Sequence, residues 1–187
     1  VQEADISIVI ANGTHEGGDE QELRTLVTDA VYDRVRVENH DCEATDLVYL
    51  GTTPHGTPVS INRTAAQADI VICLGAVTHH VMAGFGGGRK SILPGISSRE
   101  TIFHNHAFSL DAAQLRSNPA IGNGVLKGNP LHEDMCEAAG LVKNLFIINL
   151  VMNAQMQLAA IFSGHYLSSW EQACRTVDKI YQVDIPA

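Results

Sequence analysis

Ile6-Ser7-Ile8-Val9-Ile10-Ala11-Asn12-Gly13-Thr14-His15 is the stretch that sets the fold class. Its first six residues are mostly apolar and β-branched, as in a buried strand. Asn12-Gly13 then supplies a turn, and the chain leaves it carrying a histidine. Asp19, with Glu22 three residues on, forms a capping-box pattern, and Leu23, Leu26, Val27, Ala30 and Val31 follow at helical spacing. A second run of the same kind, Asp69-Ile70-Val71-Ile72-Cys73-Leu74-Gly75, leads into Thr78-His79-His80. Between the two, the pattern predicts short strands at Val35–Glu38 and Leu47–Leu50, an extended Thr57–Ile61 and a short helix over Asn62–Ala68. Beyond them it predicts helices over Ser97–Asn105, Pro130–Ala139 (closed by Gly140) and His165–Tyr181, strands at Leu145–Val151 and Gln157–Phe162, and a stop at Pro186. Strands alternating with helices predict an α/β domain, an open and mostly parallel Rossmann-like sheet with helices on both faces. Ligands bind such sheets beyond the carboxyl ends of the strands, which is where both histidine turns fall.

Composition narrows the function. A chain of 187 residues, 45% hydrophobic and 18% charged, fits one globular domain. A net charge of −9 with only 12 Lys and Arg argues against a nucleic-acid partner. Cys42, Cys73, Cys136 and Cys174 have no CxxC spacing, and Val1–Asp5 is polar rather than signal-like, so a reduced cytoplasmic setting is expected. Leu145 to Phe162 carries no formal charge, but Asn149, Asn153, Gln155 and Gln157 make it two strands rather than a membrane span. Nine histidines point to proton or metal chemistry.

From Ala76 to Gly128 the chain is rich in Gly, Ser, Asn, Pro and His, so long functional loops are expected there. Gly84-Phe85-Gly86-Gly87-Gly88-Arg89-Lys90-Ser91 nearly matches a phosphate loop, but Arg89 stands where the second motif glycine belongs. That departure argues against a nucleotide triphosphatase. Consecutive Gly86, Gly87 and Gly88 still offer backbone N–H groups to an anion, and Arg89 and Lys90 add positive charge. A lysine can also join a carbonyl-bearing cofactor as a nucleophile. His79, His80, His104 and His106 fall in this region and His15 in the turn after the first strand; His104 and His106, two apart, would point in different directions from a helix. His40, His55, His132 and His165 read as structural or surface residues. There is no G-x-S-x-G, no H-E-x-x-H and no structural zinc spacing. The residues alone leave open a loop-borne catalytic site, a non-catalytic anion- or nucleotide-binding module on Gly84–Ser91, and a mononuclear metal hydrolase.

Several phrases together resemble the nickel-dependent lactate racemase family: Ala11-Asn12-Gly13-Thr14-His15; His80 with Ala83 through Gly95; Thr101-Ile102 and Asn105-His106; and Gly128-Asn129-Pro130-Leu131-His132-Glu133-Asp134. The resemblance extends across essentially the whole chain. It implies a nickel-pincer nucleotide (a nickel pyridinium-3,5-bisthiocarboxylic acid mononucleotide) tethered to Lys90 through a thioamide, with Gly86, Gly87, Gly88 and Arg89 among the cofactor-binding residues. It implies His106 as the nickel ligand, and His15 and His80 as acid–base residues on opposite sides of a bound 2-hydroxy acid. One histidine takes the hydroxyl proton while C2 gives a hydride to the cofactor. The planar 2-oxo acid then receives hydride on its other face and a proton from the second histidine.

Three positions depart from the family pattern and leave the particular 2-hydroxy acid open. Glu16 follows His15 where arginine is usual, Gly86 stands where a serine is common after the aromatic, and His79 is an extra histidine. Family members are longer at both ends. The resemblance therefore implies that residues 1–187 are one α/β domain, the central catalytic part of the N-terminal domain of a longer racemase. Its partners would be a C-terminal domain that closes the site and the cofactor-synthesis enzymes, and the piece alone would be inactive.

Overall fold

The computed structural model describes residues 1–183, and the stop expected at Pro186 lies outside them. In chain order the elements are β1 (Ser7–Ile10), α1 (Glu20–Val27), α2 (Asp29–Tyr32), β2 (Arg36–Asn39), β3 (Val48–Thr52), β4 (Pro58–Ile61), α3 (Arg63–Gln67) and β5 (Val71–Ala76). There follow β6 (His79–His80), β7 (Ala83–Phe85), α4 (Arg99–Ala107), β8 (Leu110–Asp111), β9 (Arg116–Ser117) and β10 (Gly122–Asn123). The remainder is α5 (Pro130–Gly140), β11 (Leu145–Met152), β12 (Leu158–His165) and α6 (Ser168–Tyr181).

Helix starts follow local chemistry. Asp19 accepts from the Glu22 amide and Glu22 returns the bond, so the capping box that opens α1 is formed. Ser98 accepts from the Thr101 amide to start α4, and Asn129 accepts from His132 ahead of Pro130 to start α5.

The fold is mixed α/β, but the single open, mostly parallel Rossmann-like sheet is not formed by the described residues. Their strands make five separate sheets. β1 pairs parallel with β2, and β5 parallel with β11, as expected for crossover connections. Two other pairings are hairpins. The turn closed by the Thr53 amide on the Thr57 carbonyl folds β4 back antiparallel to β3. The amide-rich turn in which Asn153 and Gln157 bond each other folds β12 back along β11. β6, β7 and β10 form a small three-stranded ladder inside the glycine-rich region, and β8 and β9 another pair.

Helix α6 packs on β11 and β12 from one side. The other face of the β5–β11–β12 ladder carries exposed Ile72, Leu74, Phe146 and Ile148, so helices cover one face of this ladder rather than both. The core lies between α5, α6, β11 and the segment after β7. Trp170, Phe85, Ile92, Leu93, Leu131, Met135 and Ile147 are all buried there, each stabilising the fold by roughly 1.5–3 kcal/mol or more. Among the described residues no helix is long and apolar enough to cross a membrane.

Candidate active site

A cavity of about 420 Å³ opens where β1, β6 and α4 end or begin near one another. Its wall comprises Ala11 through His15, His80, Lys90, Pro94-Gly95, and Ile102, Phe103 and His106 of α4. Four residues singled out from sequence, His15, His80, Lys90 and His106, thus meet in one place from four separate segments.

Backbone contacts hold those segments together. The Gly13 amide donates to the Gly95 carbonyl at 2.9 Å, and the Gly95 amide donates to the Lys90 carbonyl at 2.9 Å. A Cβ on Gly95 would lie 2.3 Å from the Ser91 carbonyl oxygen, so only glycine permits this approach. A second cavity of about 290 Å³ shares Gly13, Thr14 and His15 with the first and is bordered by Glu16, Asp41, Glu43 and Arg99.

The hydrogen bonds fix how two of the rings face the cavity. His106 Nδ1 lies 2.9 Å from the Ile102 carbonyl, which can only accept, so Nδ1 carries the proton and Nε2 keeps a free lone pair. Burial lowers the His106 pKa, and the Ile102 carbonyl works against that shift. His80 is held the other way round. Its Nδ1 accepts from the Met82 and Ala83 amides at 3.2 and 3.1 Å, so the neutral ring carries its proton on Nε2. Burial first, then the Lys90 and Arg89 charges, push His80 down to about 4. Burial and the Arg89 charge bring the Lys90 ammonium down to about 8.

Gly86, Gly87, Gly88 and Arg89 are not in the cavity wall. The Gly86 amide donates to the Thr78 carbonyl at 2.8 Å and the Gly88 amide to Asn149 Oδ1 at 3.1 Å, so these donors already have internal partners. Arg89 is 1% exposed and points into the protein, where Nη1 and Nη2 donate to the Phe85 and Ala83 carbonyls, each at 2.8 Å. The sequence reading of this loop as a basic anion cradle is corrected in that respect, because the glycines let the chain turn tightly against its own interior.

The other histidines lie elsewhere. His104 Nδ1 meets Thr57 Oγ1 at 2.9 Å, on a different side of α4 from His106. His79 pairs with Asp178 at 2.9 Å, buried His40 donates to the Ser97 carbonyl, and His132 lies beneath Arg89. His55, Asp134 and Glu137 approach within ligand distance of one another. Their contacts are accounted for without an ion, since His55 bonds Glu137 and Asp134 accepts from Thr53, Thr57 and Asn105. Among the described residues the main cavity wall includes no carboxylate.

Sequence reasoning missed several wall and support residues. Pro94, Ile102 and Phe103 sit beside residues it did select. Trp170 supports Arg89 from a position distant in sequence that no local pattern marks, and His132, read from sequence as structural or surface, supports it as well.

The chain is similar to known proteins over nearly its whole length. The curated lactate racemase of Thermoanaerobacterium thermosaccharolyticum is 34% identical over 182 residues, covering 97% of this chain and 42% of that protein. That of Lactiplantibacillus plantarum is 32% identical over the same length and shares. The chain thus spans about two fifths of the length of these curated relatives. The solved structure of the Thermoanaerobacterium lactate racemase apoprotein superposes with a TM-score of 0.86 at 34% identity, over 94% of this chain and 41% of that one. A Thermotoga maritima protein with 23% identity, covering 96% of this chain and 48% of its own, shares the fold at a TM-score of 0.78. Residues 1–117 match the family model described as the lactate racemase N-terminal domain, and the chain belongs to that family.

Proposed function

We propose that this chain forms the catalytic part of a 2-hydroxy acid racemase or epimerase. The observation that carries the reading is the meeting of His15, His80, Lys90 and His106 in one cavity. On this reading residues 1–187 are the central part of the N-terminal domain of a longer, cytoplasmic enzyme. A C-terminal domain completes the site, and the piece alone does not turn over.

The residues fit a nickel-pincer nucleotide. His106 offers an unprotonated Nε2, the state in which imidazole ligates nickel, with its tautomer fixed by the Ile102 carbonyl. Lys90 presents an amine brought down to about 8, able to form an amide-type bond near neutral pH. When bound, the nucleotide supplies a reversible hydride acceptor.

The remaining work falls to protons. His15 and His80 enter from separate loops and hold the proton of the C2 hydroxyl. His80 Nε2–H donates to a substrate oxygen. Proton uptake by His80 requires its ring to give up the Met82 and Ala83 amides, a cost that His15 does not carry, since no side-chain bond restrains it among the described residues. His80 is therefore the more tightly held of the two rings. A planar 2-oxo acid held between two such groups can take a proton on its oxygen from either one, and the face of C2 to which hydride returns decides the enantiomer.

The test is co-expression of the full-length protein with the cofactor-synthesis enzymes, followed by peptide mass spectrometry at Lys90 and a racemisation screen of several 2-hydroxy acids. A modified Lys90 and C2 inversion are expected. An unmodified Lys90 under conditions that load a known relative sinks the reading. Binding of phosphate or a mononucleotide without modification or nickel would favour a non-catalytic module instead.

A further inference from the structure

We propose that Arg89 is a positioning residue, an inward-turned guanidinium that ties the Ala83–Gly87 segment to His132 and Trp170 and so fixes where Lys90 enters the cavity. Nη1 donates to the Phe85 carbonyl and Nη2 to the Ala83 carbonyl, each at 2.8 Å, and Nη2 also donates to His132 Nδ1 at 3.1 Å. The guanidinium carbon lies 3.9 Å from the Trp170 ring centre, and His132 stacks on the same indole at 5.3 Å. Trp170 closes the arrangement by donating Nε1–H to the Gly86 carbonyl at 2.8 Å. The glycine at 88 belongs to the same device, because a Cβ there would lie 2.6 Å from the indole.

This placement is costly for a cation. Among the described residues Arg89 has no ion pair, and its Nε has no hydrogen-bond partner. Burial pushes the Cys136 thiol up to about 11 and raises Cys174 as well, so neither gives Arg89 an anionic neighbour. Its own pKa falls to about 10. A buried, unpaired charge is kept against a desolvation cost, and here the return is geometric. A planar fork reaches two carbonyls and a ring nitrogen at once, which a lysine ammonium cannot reproduce. The charge also favours neutral Lys90 beside His80 and His106, the other titratable groups around the amine, both held neutral near pH 7.

The importance of Lys90 rests on the function proposed above, whereas the clamp does not. The experiment therefore uses the full chain without cofactor. Lys90 is labelled with a small acylating reagent across pH, with Lys127 and Lys143 as internal standards, and amide exchange is followed over 84–90. Arg89→Met is expected to raise the Lys90 midpoint toward the ordinary lysine value, lowering its labelling at pH 8 about tenfold relative to the standards, and to speed exchange. Arg89→Lys keeps the charge and is expected to speed exchange while leaving the midpoint low. Trp170→Phe, which retains a smaller aromatic face and loses the bond to Gly86, keeps the idea testable if Arg89→Met does not fold, and is expected to speed exchange likewise. Unchanged exchange in Arg89→Lys and Trp170→Phe, or an unchanged Lys90 midpoint in folded Arg89→Met, overturns the proposal. An unmodified Lys90 in the loaded enzyme would instead count against the cofactor reading alone.

Discussion

His106 and His80 face one cavity with opposite hydrogen-bonding character, and backbone contacts cause the difference. The carbonyl beside His106 leaves its Nε2 a lone pair, whereas the amides beside His80 leave its Nε2 a donor. Two expectations belong at this scale. His106→Ala should abolish nickel uptake by the loaded protein while Lys90 modification persists, measured by metal analysis beside peptide mass. His15→Gln and His80→Gln should both lose racemisation, by about 100-fold or more for removal of a general acid–base group, with cofactor content unchanged. Equal activity of either variant and wild type would remove that histidine from the proton path. The histidine phrases and Lys90 were legible in sequence. The tautomers were not, because they depend on which backbone group the fold sets beside each ring.

At the scale of elements, the turns and caps were the readable part. The Asp19–Glu22 capping box, the helix opening at Pro130, and the amide-rich turn between β11 and β12 act locally, and the structure forms each of them. Sheet assembly was less legible. An apolar β-branched run marks a strand but not its neighbour, and two connections expected to support a mostly parallel sheet form hairpins instead. The Gly86–Gly88 run looked like an anion cradle because glycine permits the same tight turns against a ligand and against the protein's own core. Trp170→Ala should destabilise the domain by about 3–5 kcal/mol, since the indole is fully buried and supports both Arg89 and the Gly86 carbonyl. Thermal or denaturant unfolding checks this, and a loss under 1 kcal/mol would contradict it. Gly95→Ala, which drives a Cβ into the Ser91 carbonyl, should separate the Lys90 and Gly13 segments and lower Lys90 modification even where the protein still folds.

For the molecule as a whole, pH should act on stability through its buried neutral histidines. Burial, with the Arg89 charge, pushes His132 down to about 4, and His80 is brought to a similar value. Their folded pKa values lie below the unfolded value of roughly 6.5, so the unfolded chain binds more protons. Stability is therefore fully present above about pH 6.5 and is lost as pH falls toward 4. The melting temperature should drop between pH 7 and pH 5, and His132→Asn should flatten that slope; an unchanged slope would show that His132 is not neutral when folded.

The cavity is assembled from the carboxyl end of β1, the β6 turn, the Lys90 loop and α4, so its wall spans most of the first 106 residues. The most direct test of the central claim is the mass of the Lys90 peptide after the full-length protein is made together with the cofactor-synthesis enzymes. The account predicts a nucleotide adduct on Lys90 and none on Lys127 or Lys143. A Lys90 peptide of unmodified mass, in a preparation where a known lactate racemase is loaded, would contradict it.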